Sequence, residues 1–370
     1  LASEARILDV LDADLRRAGL VDARLPPARL VFLAIVSRMF DRPVSVVVKG
    51  PSSAGKSWLV ERVLEKFPAS AFYELTSMSE KSLVYDTEPL VHRMLVVGEA
   101  VAIAGTDTGS LLRELLSSGH IRHVTVETAK DGSFRSRVTE RDGPTGLIST
   151  TTELLLHPET ETRLFAVTVG DSKAAQRAIQ KAWGRREAGL KDAAVDHDRW
   201  HKHAEWLSTG QHDVVVPYGE RLGVLIPTTA TRLQRDLIGA FALVRAHALL
   251  HRGTRDLDGQ GRIVATLDDY AVVRELIEPI ISVGVQATVK EGVRKVVEKV
   301  ASLPTDEVSQ ADLVTHTGIS KGGVSRFVGE AVSAGWLINN EDRRGQPARL
   351  RVGDSLPEEG AVLPDPEDLA

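Results

Sequence analysis

The stretch from Val44 to Ser57, VSVVVKGPSSAGKS, decides how the rest of the chain is read. Its β-branched run predicts a short buried strand, and Trp58 to Phe67 has helical spacing. Between them Gly50, Pro51, Ser52, Ser53, Ala54, Gly55, Lys56 and Ser57 fill every position of G-x-x-x-x-G-K-[ST]. The residue types have a chemical reason. Glycines at 50 and 55 let the backbone turn so that N–H groups and a helix N-terminus face phosphate. Lys56 adds a cation for the β- and γ-oxygens, and Ser57 offers a hydroxyl to Mg²⁺. The stretch predicts an α/β core that binds ATP with Mg²⁺.

At 370 residues and 42% hydrophobic content, the chain has room for two or three domains. No apolar run approaches the roughly 20 residues of a membrane span, and the N-terminus lacks a signal-peptide layout. There are no cysteines, which excludes disulfides and thiolate metal sites and fits a cytoplasmic protein. The first residue is Leu1 rather than Met, which leaves room for a domain ahead of it. Net charge is −5, so contact with nucleic acid must come from local basic patches.

Working outward, residues 1–42 carry helical spacing over Ala5 to Ala18 and Ala28 to Phe40, separated by Leu25-Pro26-Pro27. In residues 43–171 the loop is followed by a strand at Phe72 to Leu75 and another at Arg93 to Gly98, which runs into Glu99. A carboxylate at such a strand end can orient and deprotonate an attacking water, which makes Glu99 the general-base candidate. The preceding acid usual in such sites is replaced by Gly98, so Ser57 and water must do more, or Glu74 or Asp107 substitutes.

Ser110 to Ser118 reads as an amphipathic helix, and Ile121 to Thr128 with Ser133 to Glu140 as a hairpin turning at Asp131-Gly132. That hairpin puts Lys130 at its tip and Arg135 and Arg137 along its side. The strand Gly146 to Thr150 leads into Thr151 and Thr152, either of which can bond a γ-phosphate or the lytic water. Arg163, ahead of a strand at Ala166 to Val169, is placed to stabilise transition-state charge in a neighbouring subunit, or to pair with Glu159 or Glu161.

Residues 172–285 read as a helical lid. His197 and His201 share a helix face there, but no third ligand follows at a convincing spacing, and a solvated face is the better reading. Residues 286–353 give helix, helix-turn-helix, strand, basic turn, strand, the pattern of a winged helix that binds DNA or docks protein. Its third helix would present Lys321, Ser325 and Arg326, and its wing Arg343, Arg344 and Arg349. Residues 354–370 are acidic and Pro-rich without Lys or Arg, and predict a disordered tail.

The order of these motifs resembles the AAA+ ATPases. A hairpin ahead of the Thr-tipped strand is similar to the clade of minichromosome-maintenance and viral superfamily-three helicases, of the kind found in phages and mobile elements. Arg235-Asp236-Leu237, running into Gly239 to Ala248, resembles the sensor-2 helix of the first group. The resemblance implies that Arg235 contacts ATP from the lid, that Thr151 or Thr152 is sensor 1, and that Lys130 grips single-stranded DNA in a ring channel. It implies a homo-hexameric DNA helicase or translocase working in replication. The alternatives are a replication initiator or helicase loader on duplex DNA, and a protein-remodelling ATPase switch.

Overall fold

The computed structural model describes residues 1–76, 82–98, 106–128, 133–152, 163–170, 172–189, 194–228, 230, 232–287, 289–305, 307–341, 343, 346–356 and 361–370. The chain divides into two compact units. One comprises Leu1–Val224, Arg235–Ile280 and Pro364–Ala370, and the other Leu225–Gln234 and Ile281–Leu363.

The first unit is an α/β fold around five parallel strands: β1 (Val46–Lys49), β2 (Phe72–Leu75), β3 (Arg93–Val97), β6 (Thr145–Thr151) and β7 (Phe165–Thr168). Strands β4 (His120–Thr128) and β5 (Phe134–Asp142) form a separate antiparallel hairpin between β3 and β6 in the chain. Across the sheet the order is β2-β3-β6-β1-β7. Val46 lies beside Ile148 on one side and Phe165 on the other, while Lys49 lies beside Thr151 and Thr168. A register without offset puts the C-terminal ends of β1, β6 and β7 along one edge of the sheet.

Every residue of β1 and β6 is buried, as expected of parallel strands covered on both faces. Side chains alternate across a strand, so Val47, Leu95, Val97 and Leu147 share a face. There they pack with Leu83 and Val84 of α4 (Ser82–Tyr85) and Leu112 and Leu115 of α5 (Thr106–Ser118). Ahead of the sheet come α1 (Ile7–Arg17) and α2 (Leu25–Val36), the second buried along nearly its whole length. The Leu25-Pro26-Pro27 break expected from the sequence is instead the first turn of α2. A proline costs nothing there, because the first helical N–H groups have no intrahelical acceptor.

Helices α3 (Lys56–Leu64), α6 (Lys173–Glu187), α7 (His197–Ser208), α8 (Gly219–Leu225), α9 (Arg232–Leu250) and α10 (Leu267–Gln286) complete the main helical elements up to residue 286, with β8 (Val214–Val215) and β9 (Ile263–Val264) a short parallel pair. Two buried carboxylates are matched by donors. Asp14 of α1 accepts from the Trp200 indole at 2.8 Å and from Arg199 at 2.5 Å, both on α7. Burial alone would raise its pKa, but these donors hold it below the usual carboxylate range. Asp269 likewise takes Arg255, His247 Nδ1 and the Thr266 N–H, and its pKa is driven down despite desolvation.

The last seven residues depart from the expected disorder. Tyr270 donates to the Pro364 carbonyl at 2.7 Å, Arg274 pairs with Asp365 at 2.7 Å, and Leu369 is buried. Composition predicted a chain too polar to pack, yet one leucine and two side-chain anchors hold this end.

In the second unit, α11 (Glu291–Ser302), α12 (Gln310–Thr317) and α13 (Lys321–Ser333) precede the antiparallel pair β10 (Leu337–Asn339) and β11 (Leu350–Val352). Ser309 and Asp312 form a capping box at the start of α12, and Gly318 closes it with φ +69°. The core is mostly valine: Val293, Val296, Val297 and Val300 of α11 meet Leu313, Val324 and Val328. No described helix is long and apolar enough to cross a membrane.

Candidate functional site

The Gly50–Ser57 loop leaves the C-terminal end of β1 and enters α3, as the sequence predicts. Two of its residues must be glycine. A Cβ on Gly50 would lie 2.7 Å from the backbone oxygen of Val169, and Gly55 holds φ +79° as the residue capping α3. Lys56 is buried, and its ammonium donates to the carbonyls of Gly50 at 2.9 Å and Pro51 at 2.8 Å. Ser52 and Ser53 in the loop and Ser57 in the first turn of the helix are exposed. An exposed helix N-terminus, two enforced glycines and a lysine folded over the turn form a cradle for an anion.

One residue of this site escaped the sequence analysis. Arg24, buried just ahead of α2, donates to the Ala54 carbonyl at 2.9 Å and to the Gly170 carbonyl at 2.7 Å. In a trans peptide the carbonyl and the next N–H point in opposite directions. Fixing the Ala54 carbonyl toward Arg24 therefore turns the Gly55 N–H away from it. The helices ahead of the sheet thus brace the loop as well as packing on the core.

Beside the loop, Thr151 ends β6 opposite Lys49 and is buried, and its carbonyl accepts from the Gly50 N–H at 3.2 Å. Thr152 follows it, exposed. Gly98 follows β3; its carbonyl accepts from the Thr150 hydroxyl, and its N–H donates to Leu75 at 3.1 Å. A Cβ at Gly98 would meet only ordinary contact, 3.5 Å from Thr76, so there is room for a larger residue. Glu74 is one of the two acids expected to stand in for the missing one. It sits on β2, three strands from β1 and so roughly 14 Å across the sheet. Glu99, Lys130 and Arg344 lie outside the described residues, as does the side chain of Asp107.

Arg163 and Arg235 lie elsewhere, and together. With Arg42, Ser45 and Asp236 they line a cavity of about 360 Å³ beside Pro43 and Val44, ahead of β1, and Phe165, the first residue of β7. This is the N-terminal edge of the sheet. Arg163 precedes the level of Lys49 on the neighbouring strand by five residues, roughly 16 Å of strand. Arg235, expected to contact ATP from the lid, lies at this edge and not beside the Gly50–Ser57 loop of its own chain. Register and cavity put it with Arg163, because α9 packs Gly239 within a Cβ's reach of Phe165.

No protein-family model matches the sequence, and no curated protein does either.

The hairpin β4–β5 displays Arg135 and Arg137 on one face, where Arg137 pairs with Glu127 at 3.0 Å. Val124, Val126, Phe134 and Val138 are exposed on its other face. On α13, Lys321, Ser325 and Arg326 are all exposed, and so is Arg343 beyond β10. Arg349 is taken up by Glu307 at 2.5 Å.

His197 and His201 form neither a metal pair nor a solvated face. His197 donates from Nδ1 at 2.9 Å and His201 from Nε2 at 3.0 Å to the Glu65 carbonyl, capping the end of α3. The adjacent Lys66 is fully buried, and its ammonium lies 3.5 Å from His197 Nδ1, whose proton is already committed. Burial accordingly pulls its pKa down to about 8. His247, His251 and Asp269 lie close enough together for a metal, but the Asp269 oxygens serve His247, Arg255 and Thr266. His251 is spent between the Ile7 N–H and the His247 carbonyl, so the cluster is a structural network.

Proposed function

We propose that the chain is an AAA+ ATPase of the helicase type, which couples ATP hydrolysis to movement on DNA in the replication of a phage or mobile element. The observation that carries the reading is the strand order, with β6 inserted between β1 and β3. That insertion brings three strand ends to one edge: β1 with its glycine loop, β6 with Thr151, and β3 running toward Glu99. The loop meets the demands of a triphosphate site, since Gly50 and Gly55 admit close backbone approach and Lys56 supplies a cation.

In this reading Gly50 to Ser57 hold ATP, and Ser57 holds Mg²⁺, which neutralises phosphate charge when bound. Glu99 activates water, and Thr151 or Thr152 orients it or the γ-phosphate. Arg163 and Arg235, at the opposite edge of their own sheet, serve the site of the next subunit. The chain then works as a ring, a homo-hexamer, in which each subunit completes its neighbour. Lys130, Arg135 and Arg137 bind single-stranded DNA in the channel. The three-helix unit, a winged helix in this reading, lays Lys321, Ser325, Arg326, Arg343 and Arg344 on duplex DNA.

That last surface favours a second reading, an initiator or helicase loader that recognises a particular duplex. Steady-state ATPase rate against single-stranded and duplex DNA, with assembly followed by light scattering, separates the two. Stimulation by single strands in a ring-sized particle supports the motor. Response only to a particular duplex supports the initiator, and an active ATPase indifferent to DNA leaves the protein-remodelling switch.

A further inference from the structure

Trp58 stands two residues past Lys56, in the first turn of α3, and it is 37% exposed. Two other tryptophans of the first unit are more fully engaged. Trp200 is buried with its N–H on Asp14, and Trp206 carries both the Arg252 guanidinium at 3.8 Å and the His203 ring at 5.5 Å. Among the described residues, the one cation or ring against Trp58 is Arg62, one turn further along, over the indole at 4.2 Å from its centroid. Arg62 is in turn fixed by Glu65 at 2.7 Å. One side of the indole is therefore closed by a held cation.

Helix geometry gives the direction of the ring. Side chains tilt toward the helix N-terminus, so an indole at position 58 leans over the turn before it, on the side of Ala54 and Gly55. At about 100° per residue, Trp58 leaves the helix about 200° around from Lys56. The ammonium thus folds over Gly50 and Pro51 on one side of the helix start, and the indole stands on the other. A nucleoside triphosphate is long enough to span such a pair. With its middle phosphates on the N–H groups at the helix axis and its terminal phosphate at Lys56, its nucleoside leaves on the side of Trp58. An inorganic polyphosphate would fill the cradle and leave the ring untouched.

We propose that Trp58 stacks on the base of the bound nucleotide, with Arg62 behind it, and that this contact makes the site favour purine nucleotides. Every base has a π-face for the indole, and the two-ring purine covers more of it than a pyrimidine does. The inference rests on the reading of Gly50 to Ser57 as an ATP site, and adds to it the recognition of the base.

The test uses the full-length protein with Mg²⁺, and reads binding of ATP, CTP and inorganic tripolyphosphate by isothermal titration calorimetry. Trp58→Ala should weaken ATP about tenfold and CTP less, so that the preference for ATP over CTP shrinks toward one. Its affinity for tripolyphosphate should stay within about twofold of wild type. Trp58→Phe, which keeps an aromatic face, should retain most of the affinity for ATP. Lys56→Ala should weaken all three ligands at least about tenfold. If Lys56→Ala weakens all three while Trp58→Ala binds ATP as the wild type does, the stacking is overturned and the loop reading stands. A loss in Trp58→Ala as large for tripolyphosphate as for ATP would also overturn it, and would make the indole a support of the loop. If Lys56→Ala binds all three as before, the loop reading falls and the inference falls with it.

Discussion

The two edges of the parallel sheet carry opposite equipment. At the C-terminal edge the backbone does the work: two enforced glycines, a helix N-terminus, and Lys56 folded over its own turn. At the N-terminal edge side chains dominate, with Arg42, Arg163 and Arg235 around a cavity of about 360 Å³. On the proposed reading one edge binds a polyphosphate and the other neutralises charge, but roughly 16 Å of strand separates them, more than an arginine side chain spans. On the proposed reading, neither edge is a complete site until a second copy brings the two kinds together.

The largest effect should come from the arginine edge. Arg163→Ala should lower ATP turnover about 10³-fold while nucleotide affinity stays within about threefold, because its charge acts on the transition state. Titration with a fluorescent ATP analogue beside a turnover assay checks this. An affinity loss as large as the rate loss would place Arg163 in its own chain's binding site and break the comparison. Glu99→Gln should likewise keep ATP binding and lose hydrolysis, and unchanged turnover would remove it as the general base.

Arg24→Ala should do the reverse on a smaller scale. Without the guanidinium the Ala54 peptide is free to rotate, so KM for ATP should rise about tenfold with kcat nearly unchanged. Arg24→Lys, which can reach one carbonyl, should recover part of the loss. A matched fall in kcat and thermal stability with KM unaltered would make Arg24 a packing residue only.

The smallest effect concerns Lys66, past the end of α3. Its folded-state pKa lies near 8, below the ordinary 10.5, so between those values the unfolded chain binds a proton that the folded chain does not. Stability should therefore rise as pH goes from about 8 toward 10.5. Lys66→Met should raise the melting temperature by about 2–4 °C at pH 7 and remove that rise. A variant that melts lower at pH 7 would mean that the buried ammonium is stabilising.

The sequence made the local elements legible and the meetings between distant ones illegible. The strands, the hairpin and the three-helix unit follow from periodicity and turn residues that lie next to each other in the chain. Arg24 does not, because its acceptors lie 30 and 146 residues away. The convergence of Arg163 with Arg235 depends on how α9 lies against β7, which no spacing encodes. His197 and His201 carried the right signal, two rings on one helix face, but their acceptor is a backbone carbonyl that composition cannot name. The acidic tail misled because average polarity says little when Leu369 is buried and Tyr270 and Arg274 anchor the segment.

The pairing of opposite edges is tested most directly by mixing. Lys56→Ala and Arg163→Ala, each inactive alone, would be co-expressed, purified together and assayed for ATP hydrolysis. The account predicts recovery of up to about a quarter of wild-type turnover, the share of random interfaces that join an intact loop to an intact arginine. A mixed particle as inactive as either parent would contradict it.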